Sequence, residues 1–283
     1  MKPTAEKYQA LFTDETGSAA AAETDVSGYR VKTIKAGDTL EIEGYAIWST
    51  RKTAAAARKE TEKHREQVAA INRRNSQKKL RRLINTNFGA DDILLTLTYD
   101  QYEQPQDDAE AARNVRNFLI RLRNKRRKFG LPDLKYVYTT ETTHGALGTR
   151  YHHHLIVNGG IERVVIENLW TAGLVNSRIA RPDAYGLSGW AHYMSKQKET
   201  QEKASRHGWT CSRNLRQPKV TVSDHKLSRR RMRQIADDLH ANGRRILESV
   251  YTGYTLCELP EIRWSPYVEG VYLTARMIRK GGV

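Results

Sequence analysis

The 283-residue chain holds only two cysteines, Cys211 and Cys257. They stand far apart without metal-type spacing, which excludes a disulfide scaffold or a zinc ribbon and fits free thiols in a reducing compartment. No apolar run approaches the roughly 20 residues that span a bilayer. No basic stretch leads into an apolar segment near Met1, so nothing in the sequence signals secretion. Acid is in short supply as well: 32 Asp and Glu stand against 48 Lys and Arg, a net charge of +16. Such an imbalance attracts polyanions, and nucleic acid is the usual one inside a cell. No internal repeat is visible.

Residues 1–28, which include TGSAAAAETDVSG, are small, polar and aperiodic and read as a tail outside the core. YRVKTIKAGDTLEIEGYAIW alternates apolar and polar residues about a Gly-Asp turn, the pattern of a hairpin. From Thr50 to Asn85 there is no Pro or Gly, and helix-forming residues dominate. This helix ends in RRNSQKKLRRLIN, whose Lys78, Lys79, Arg81 and Arg82 suit a basic arm on phosphates or a solvated face.

DDILLTLTYD (91–100) predicts a buried strand. DDAEAARNVRNFLIRLRNKRRKFG predicts a capped amphipathic helix, with acid in its first turn, base and Gly at its end, and Val115, Phe118, Leu119 and Leu122 at helical spacing. Its Arg121, Arg123, Lys125, Arg126 and Arg127 suit phosphates better than bases. Strands LKYVYTTE and YHHHLIV flank a loop; IERVVIENLWTAG reads as a helix, LVNSRIA as a strand and GLSGWAHYMSKQKE as a further helix. The order β-α-β-β-α-β gives an α+β fold, the ferredoxin-like or RRM-like split βαβ arrangement. Its antiparallel sheet carries helices on one face and leaves the other face free for a site. Farther on, PKVTVSD suits a strand and SRRRMRQIADDLHANGRRILESV a helix.

The three consecutive histidines supply the chemistry. Strand side chains alternate, so His152 and His154 share one face while His153 joins Leu155 and Val157 on the other. Two imidazoles two residues apart on a strand can ligate one divalent ion. A hairpin with the preceding strand brings Glu141 beside them as a third ligand. Two imidazoles and a carboxylate suit Mg or Mn, with zinc or another transition metal also open. His144 reads as a loop residue, and His192 lacks comparable support. Thr96 and Thr98 share a strand face and can support the site or contact DNA, although β-propensity alone explains them.

HHHLIV resembles the His–hydrophobic–His motif of the HUH endonucleases, with histidine in the middle position. LLTLTYD and YMSK resemble the first and third motifs of rolling-circle replication initiators, in the same order. CSRNLRQPKV is similar to a Ser-Arg…Pro stretch of phage and plasmid members. The resemblance spans Leu94 to Lys196 and is to initiators of the filamentous-phage gene II kind. It implies metal ligands His152, His154 and Glu141, and nucleophile Tyr193, with Lys196 and Gln197 on the same helical face. Some relatives carry two nearby tyrosines; here Tyr193 stands alone on its helix, and Tyr185 precedes it across a turn.

The implied activity is cleavage and rejoining of one DNA strand at an origin, through a 5′-phosphotyrosine. Host helicase and polymerase are the implied partners, and a bacterial cytoplasm the implied setting. A single-tyrosine HUH transposase or relaxase would use the same chemistry. A non-catalytic DNA-binding protein with a structural metal would explain the charge and the histidines but not Tyr193. RNA binding by an RRM-like sheet lacks its aromatic platform. The chain then divides into a tail (1–28), a hairpin and long basic helix (29–88), a nuclease core (89–200) and a C-terminal extension (201–283) packed on the core or contacting DNA.

Overall fold

The computed structural model describes residues 26–48, 62–145, 148–196, 208–264 and 270–281. In chain order these form β1 (Val26–Ala36), β2 (Thr39–Trp48), α1 (Glu62–Asn87), β3 (Ile93–Tyr99), α2 (Asp108–Lys128), β4 (Tyr136–Gly145), β5 (Gly148–Val157), α3 (Arg163–Glu167) and β6 (Gly173–Ile179). Then follow α4 (Ser188–Lys196), β7 (Thr210–Cys211), β8 (Lys219–Ser223), α5 (Arg229–Asp237), a π-helical turn (Leu239–Gly243), α6 (Arg244–Val250), β9 (Tyr254–Leu256), β10 (Glu261–Trp264) and β11 (Val271–Arg279). No helix among the described residues is long and apolar enough to cross a membrane. Two compact units emerge: Asn75–Gln217, and a second drawn from the chain on both sides of it.

The first unit is built on an antiparallel sheet of order β6-β3-β5-β4-β7, the order a split βαβ unit gives once β7 is added at one edge. The strict alternation of ILLTLTY gives β3 one buried face, with Ile93, Leu95, Leu97 and Tyr99 all buried. That face packs against Val115, Phe118, Leu119 and Leu122 of α2 and against Trp170. Truncating a buried phenylalanine such as Phe118 to alanine costs about 3–5 kcal/mol. α2 starts where Asp107 accepts from the Glu110 amide at 2.7 Å while Glu110 accepts from the Gln106 amide at 2.8 Å. Lys125 to Lys128 complement the dipole at its far end.

At the lower end of the strands Asp92 accepts from the amides of Gly89 and Gly159, both at 2.8 Å. Gly159 is obligatory there, because a Cβ would sit 2.1 Å from the Asp91 carbonyl oxygen. The opposite sheet face is not free along its length, as the sequence suggested. Leu80, Leu83 and Ile84 of α1 and Trp190, Ala191 and Met194 of α4 bury Val137 and Ile156 on it. A strand pair with apolar residues facing both ways needs cover on both sides, and only the polar end of this face stays open.

The helix expected over 161–173 shrinks to Arg163–Glu167. Beyond it Trp170 turns inward, donates to the Thr98 carbonyl at 3.2 Å and meets the rings of Tyr99 and Phe118 edge-on. The CSRNLRQP stretch has a structural role in this unit. Ser212 Oγ accepts from the Tyr136 amide at 3.1 Å, and Asn87 exchanges hydrogen bonds with the Arg216 backbone.

In the second unit β1 and β2 form the expected hairpin, turning at Gly37, which takes φ 61°. β1 opens at Val26, so 26–28 belong to the sheet rather than the tail, while residues 1–25 and 49–61 lie outside the described residues. The hairpin shares its sheet with strands from residues 218–281: the order is β10-β11-β2-β1-β8, with β9 also on β11. Its apolar face, including Val31, Ile42, Leu273 and Met277, buries Met232 and Ile235 of α5 and Ile246 and Leu247 of α6. The single helix expected over 228–250 breaks at Asp238 (φ −148°, ψ 96°), whose carboxylate caps the π-helical turn by accepting from the Ala241 amide at 2.9 Å. Arg30 pairs with Asp224 through two 2.6 Å contacts, tying β1 to the end of β8.

Candidate active site

Register fixes the site. On β5, His152 and His154 face the side opposite His153. On β3, Thr98 lies beside His152 and Thr96 beside His154; on β4, Glu141 lies beside His152 and Thr139 beside His154. The side chains respect the register. His154 Nε2 and Glu141 Oε2 are 3.1 Å apart. Thr96 Oγ1 is 3.2 Å from His154 Nδ1, and Thr98 Oγ1 is 3.3 Å from His152 Nδ1. Each imidazole thus has a hydroxyl of the neighbouring strand within hydrogen-bond distance of its Nδ1.

His153 belongs to the core. It is fully buried, with Tyr99 Oη 2.9 Å from Nε2 and Thr140 Oγ1 2.9 Å from Nδ1. Burial, aided by the two flanking histidines, lowers its pKa to about 3. Burial also lowers His152 and His154 from the ordinary histidine value, in both cases outweighing the neighbouring Glu141 carboxylate. At neutral pH both imidazoles are therefore uncharged, and the His154–Glu141 contact is a hydrogen bond rather than an ion pair. Burial raises Tyr99 to about 12, matching its role as a neutral partner of His153.

α4 brings Tyr193 to this face. Met194 and Ala191 are buried beneath it, while Tyr193 remains 43% exposed. Its ring meets His154 edge-on with centroids 4.9 Å apart and stacks on Trp190 at 5.2 Å. The start of α4 is held by Asn85 of α1, which accepts from the Leu187 amide at 2.8 Å and donates to the Tyr185 carbonyl and Ser188 Oγ. The sequence reading missed Asn85; an asparagine among basic helix formers is its only trace. Tyr185 sits in the turn before α4, its amide donating to Asp183. Lys196 ends α4 with a side chain outside the described residues, as is Gln197. The same holds for the His144 side chain, and His192 is exposed.

Among the described residues, no three His, Cys, Asp or Glu side chains close on a common point. The donor chemistry nonetheless fits a divalent ion. Neutral imidazoles offer Nε2 once their Nδ1–H groups donate to the threonine hydroxyls, and adjacent ligands of an octahedral ion with bonds of about 2.1 Å lie about 3 Å apart, the spacing of His154 and Glu141. Beside them Thr139 Oγ1 and Trp190 Nε1 are buried with no hydrogen-bond partner among the described residues.

The basic residues separate into two groups. α2 packs on the His153 face, away from His152 and His154. Arg123 and Arg127 are exposed there, Lys125 lies over the Phe129 ring, and Arg121 donates to the Leu169 carbonyl at 2.9 Å. Arg126 is not a DNA contact: it is 2% exposed and donates to the carbonyls of Pro132, Asn158 and Gly159. A cation satisfied inside the fold looks the same in sequence as its solvated neighbours. Lys78, Lys79, Arg81 and Arg82 stand on α1, which packs on the face of the histidine pair; Lys79 lies over the Trp209 ring.

Residues 92–198 match the family of replication-associated proteins that takes in ORF2 and the gene II protein. No curated protein and no solved structure matches the chain. The matched segment runs from β3 through α4 and contains Thr96, Thr98, Glu141, His152, His154 and Tyr193. This segment, a little over a third of the chain, is therefore similar to that replication-associated family.

Proposed function

We propose that the protein starts rolling-circle replication by nicking and rejoining one strand of origin DNA through Tyr193. One observation carries the reading: the Tyr193 ring lies against His154, whose other side meets Glu141, all on the open end of one sheet face. In the first step the Tyr193 Oη attacks phosphorus. The phenolic proton is lost, the bond from phosphorus to the 3′-oxygen breaks, and that oxygen leaves as a hydroxyl after taking up a proton. The DNA 5′ end is then a phosphotyrosine, and the free 3′-hydroxyl can prime a polymerase. Reversal by a later 3′-hydroxyl reseals the strand without ATP, because the phosphodiester bond energy is kept in the adduct.

Glu141, His152 and His154 would hold a divalent ion, Mg or Mn, which when bound withdraws charge from the scissile phosphate. Thr96 and Thr98 orient the two imidazoles, and Trp190 backs the tyrosine. Lys196, on the same helix, is assigned to the phosphate or to the charge of the departing oxygen. Helicase and polymerase of the host supply unwinding and synthesis. A transposase or relaxase with one tyrosine would share this chemistry; the replication-associated match favours initiation.

The test incubates the protein with a labelled single-stranded oligonucleotide pool and Mn or Mg. A denaturation-resistant adduct is expected from the native protein and none from Tyr193→Phe, which retains DNA binding. Equal adduct from both proteins refutes Tyr193. Binding without adduct from the native protein turns the reading to the non-catalytic DNA binder.

A further inference from the structure

β6 is the edge strand beside β3, and its two faces have different surroundings. Ser177 Oγ bonds to Glu167, and Arg163 donates to the Ser177 carbonyl, fixing that residue toward α3. Alternation then turns Leu174, Asn176 and Arg178 to the face of the histidine pair, where all three are exposed. Asn176 lies in the row that continues through Thr96 to His154, and Arg178 in the next row, beside Leu94. The Arg178 guanidinium carbon stands 5.8 Å from the centroid of the Trp190 ring, within cation–π range. Trp190 is the ring on which Tyr193 stacks. Arg178 has no ion-pair partner among the described residues.

We propose that Arg178, oriented by the Trp190 ring, binds a backbone phosphate of single-stranded DNA beside Tyr193, so that the strand runs along the β6 edge. Each element of the arrangement suits that task. The guanidinium is planar and keeps its charge, and a flat ring lies within cation–π range of it. No carboxylate among the described residues neutralises it. The exposed Leu174 farther along the same strand offers an apolar surface for an unpaired base. The proposal deepens the nicking reading and rests on it for its purpose, but binding can be measured without chemistry.

The experiment uses the full chain in EDTA with fluorescein-labelled oligothymidylate, read by anisotropy across a salt series. Each phosphate contact to a single strand contributes about 0.7 to the slope of log K against log salt. Arg178→Gln should lower that slope by about 0.7 and weaken binding several-fold at low salt. Arg178→Lys should keep the slope, because the charge remains. Lys128→Gln, an exposed charge on α2 over the other sheet face, should leave the slope unchanged. An unchanged slope in Arg178→Gln, an equal loss in Lys128→Gln, or no salt-dependent binding by the native protein would each overturn the proposal. Loss of adduct in Tyr193→Phe does not bear on these readings, and a native protein that binds through Arg178 yet forms no adduct would overturn the nicking reading alone.

Discussion

Acid should destabilise the Asn75–Gln217 unit through His153, a residue the proposed chemistry does not use. In the folded chain its pKa falls to about 3, whereas in the unfolded chain it returns to the ordinary value near 6.5. Above pH 6.5 the imidazole is neutral in both states and costs nothing. Below it the unfolded chain takes up a proton that the folded chain refuses, so stability falls by about 1.4 kcal/mol per pH unit until the folded pKa is reached. At pH 5 the loss from this one ring is about 2 kcal/mol, a large share of the 5–15 kcal/mol that holds a typical domain together. His153→Gln removes the titration. It also leaves either Tyr99 or Thr140 without its partner, so at pH 7.5 the variant should be less stable by about 1–3 kcal/mol. Urea unfolding in EDTA, followed by tryptophan fluorescence at pH 7.5, 6.5 and 5, measures both effects. His152 and His154 remain in both proteins, so the difference between the two pH profiles isolates His153. The gap between native and variant should narrow by about 2 kcal/mol from pH 7.5 to 5; profiles that run parallel would refute the reasoning.

Thr96→Val and Thr98→Val remove the hydroxyls that hold the Nδ1 atoms, and each should weaken Mn binding by about 10- to 100-fold in a calorimetric titration while leaving the fold intact. Arg126→Met strips three part-buried carbonyls of their donor and should lower the unfolding free energy by about 1–3 kcal/mol without changing the salt dependence of DNA binding. Asn85→Ala frees the start of α4, at a cost of about 1–3 kcal/mol, and should slow adduct formation more than it weakens DNA binding, as single-turnover kinetics would show.

Local signals carried much of this fold. The alternation of ILLTLTY set the buried face of β3, and the acid-to-base gradient with apolar residues at helical spacing set α2. The hairpin that follows Glu141 placed the carboxylate next to His152, as the register shows. What escaped was decided by partners distant in sequence. Trp170 cuts α3 short because a core built from β3 and α2 accepts its ring. Asp238 interrupts a run of good helix formers because its side chain caps the turn that follows. Arg126 cannot be told from Arg123 or Arg127 until the carbonyls of residues 132, 158 and 159 arrive around it. α1 and α4 cover the second sheet face through apolar residues whose destination no local pattern specifies.

The pairing of β1 with β8, and of β2 with β11, joins residues separated by about two thirds of the chain or more. During synthesis, the early hairpin leaves the ribosome with both flanks bare. It waits while the entire Asn75–Gln217 unit emerges and folds within itself, and its neighbours arrive only with the segment that follows Gln217. A prematurely terminated product ending near Gln217 would thus release a complete histidine–tyrosine site on a chain whose opening strands have unmet edges, prone to adhere to other molecules.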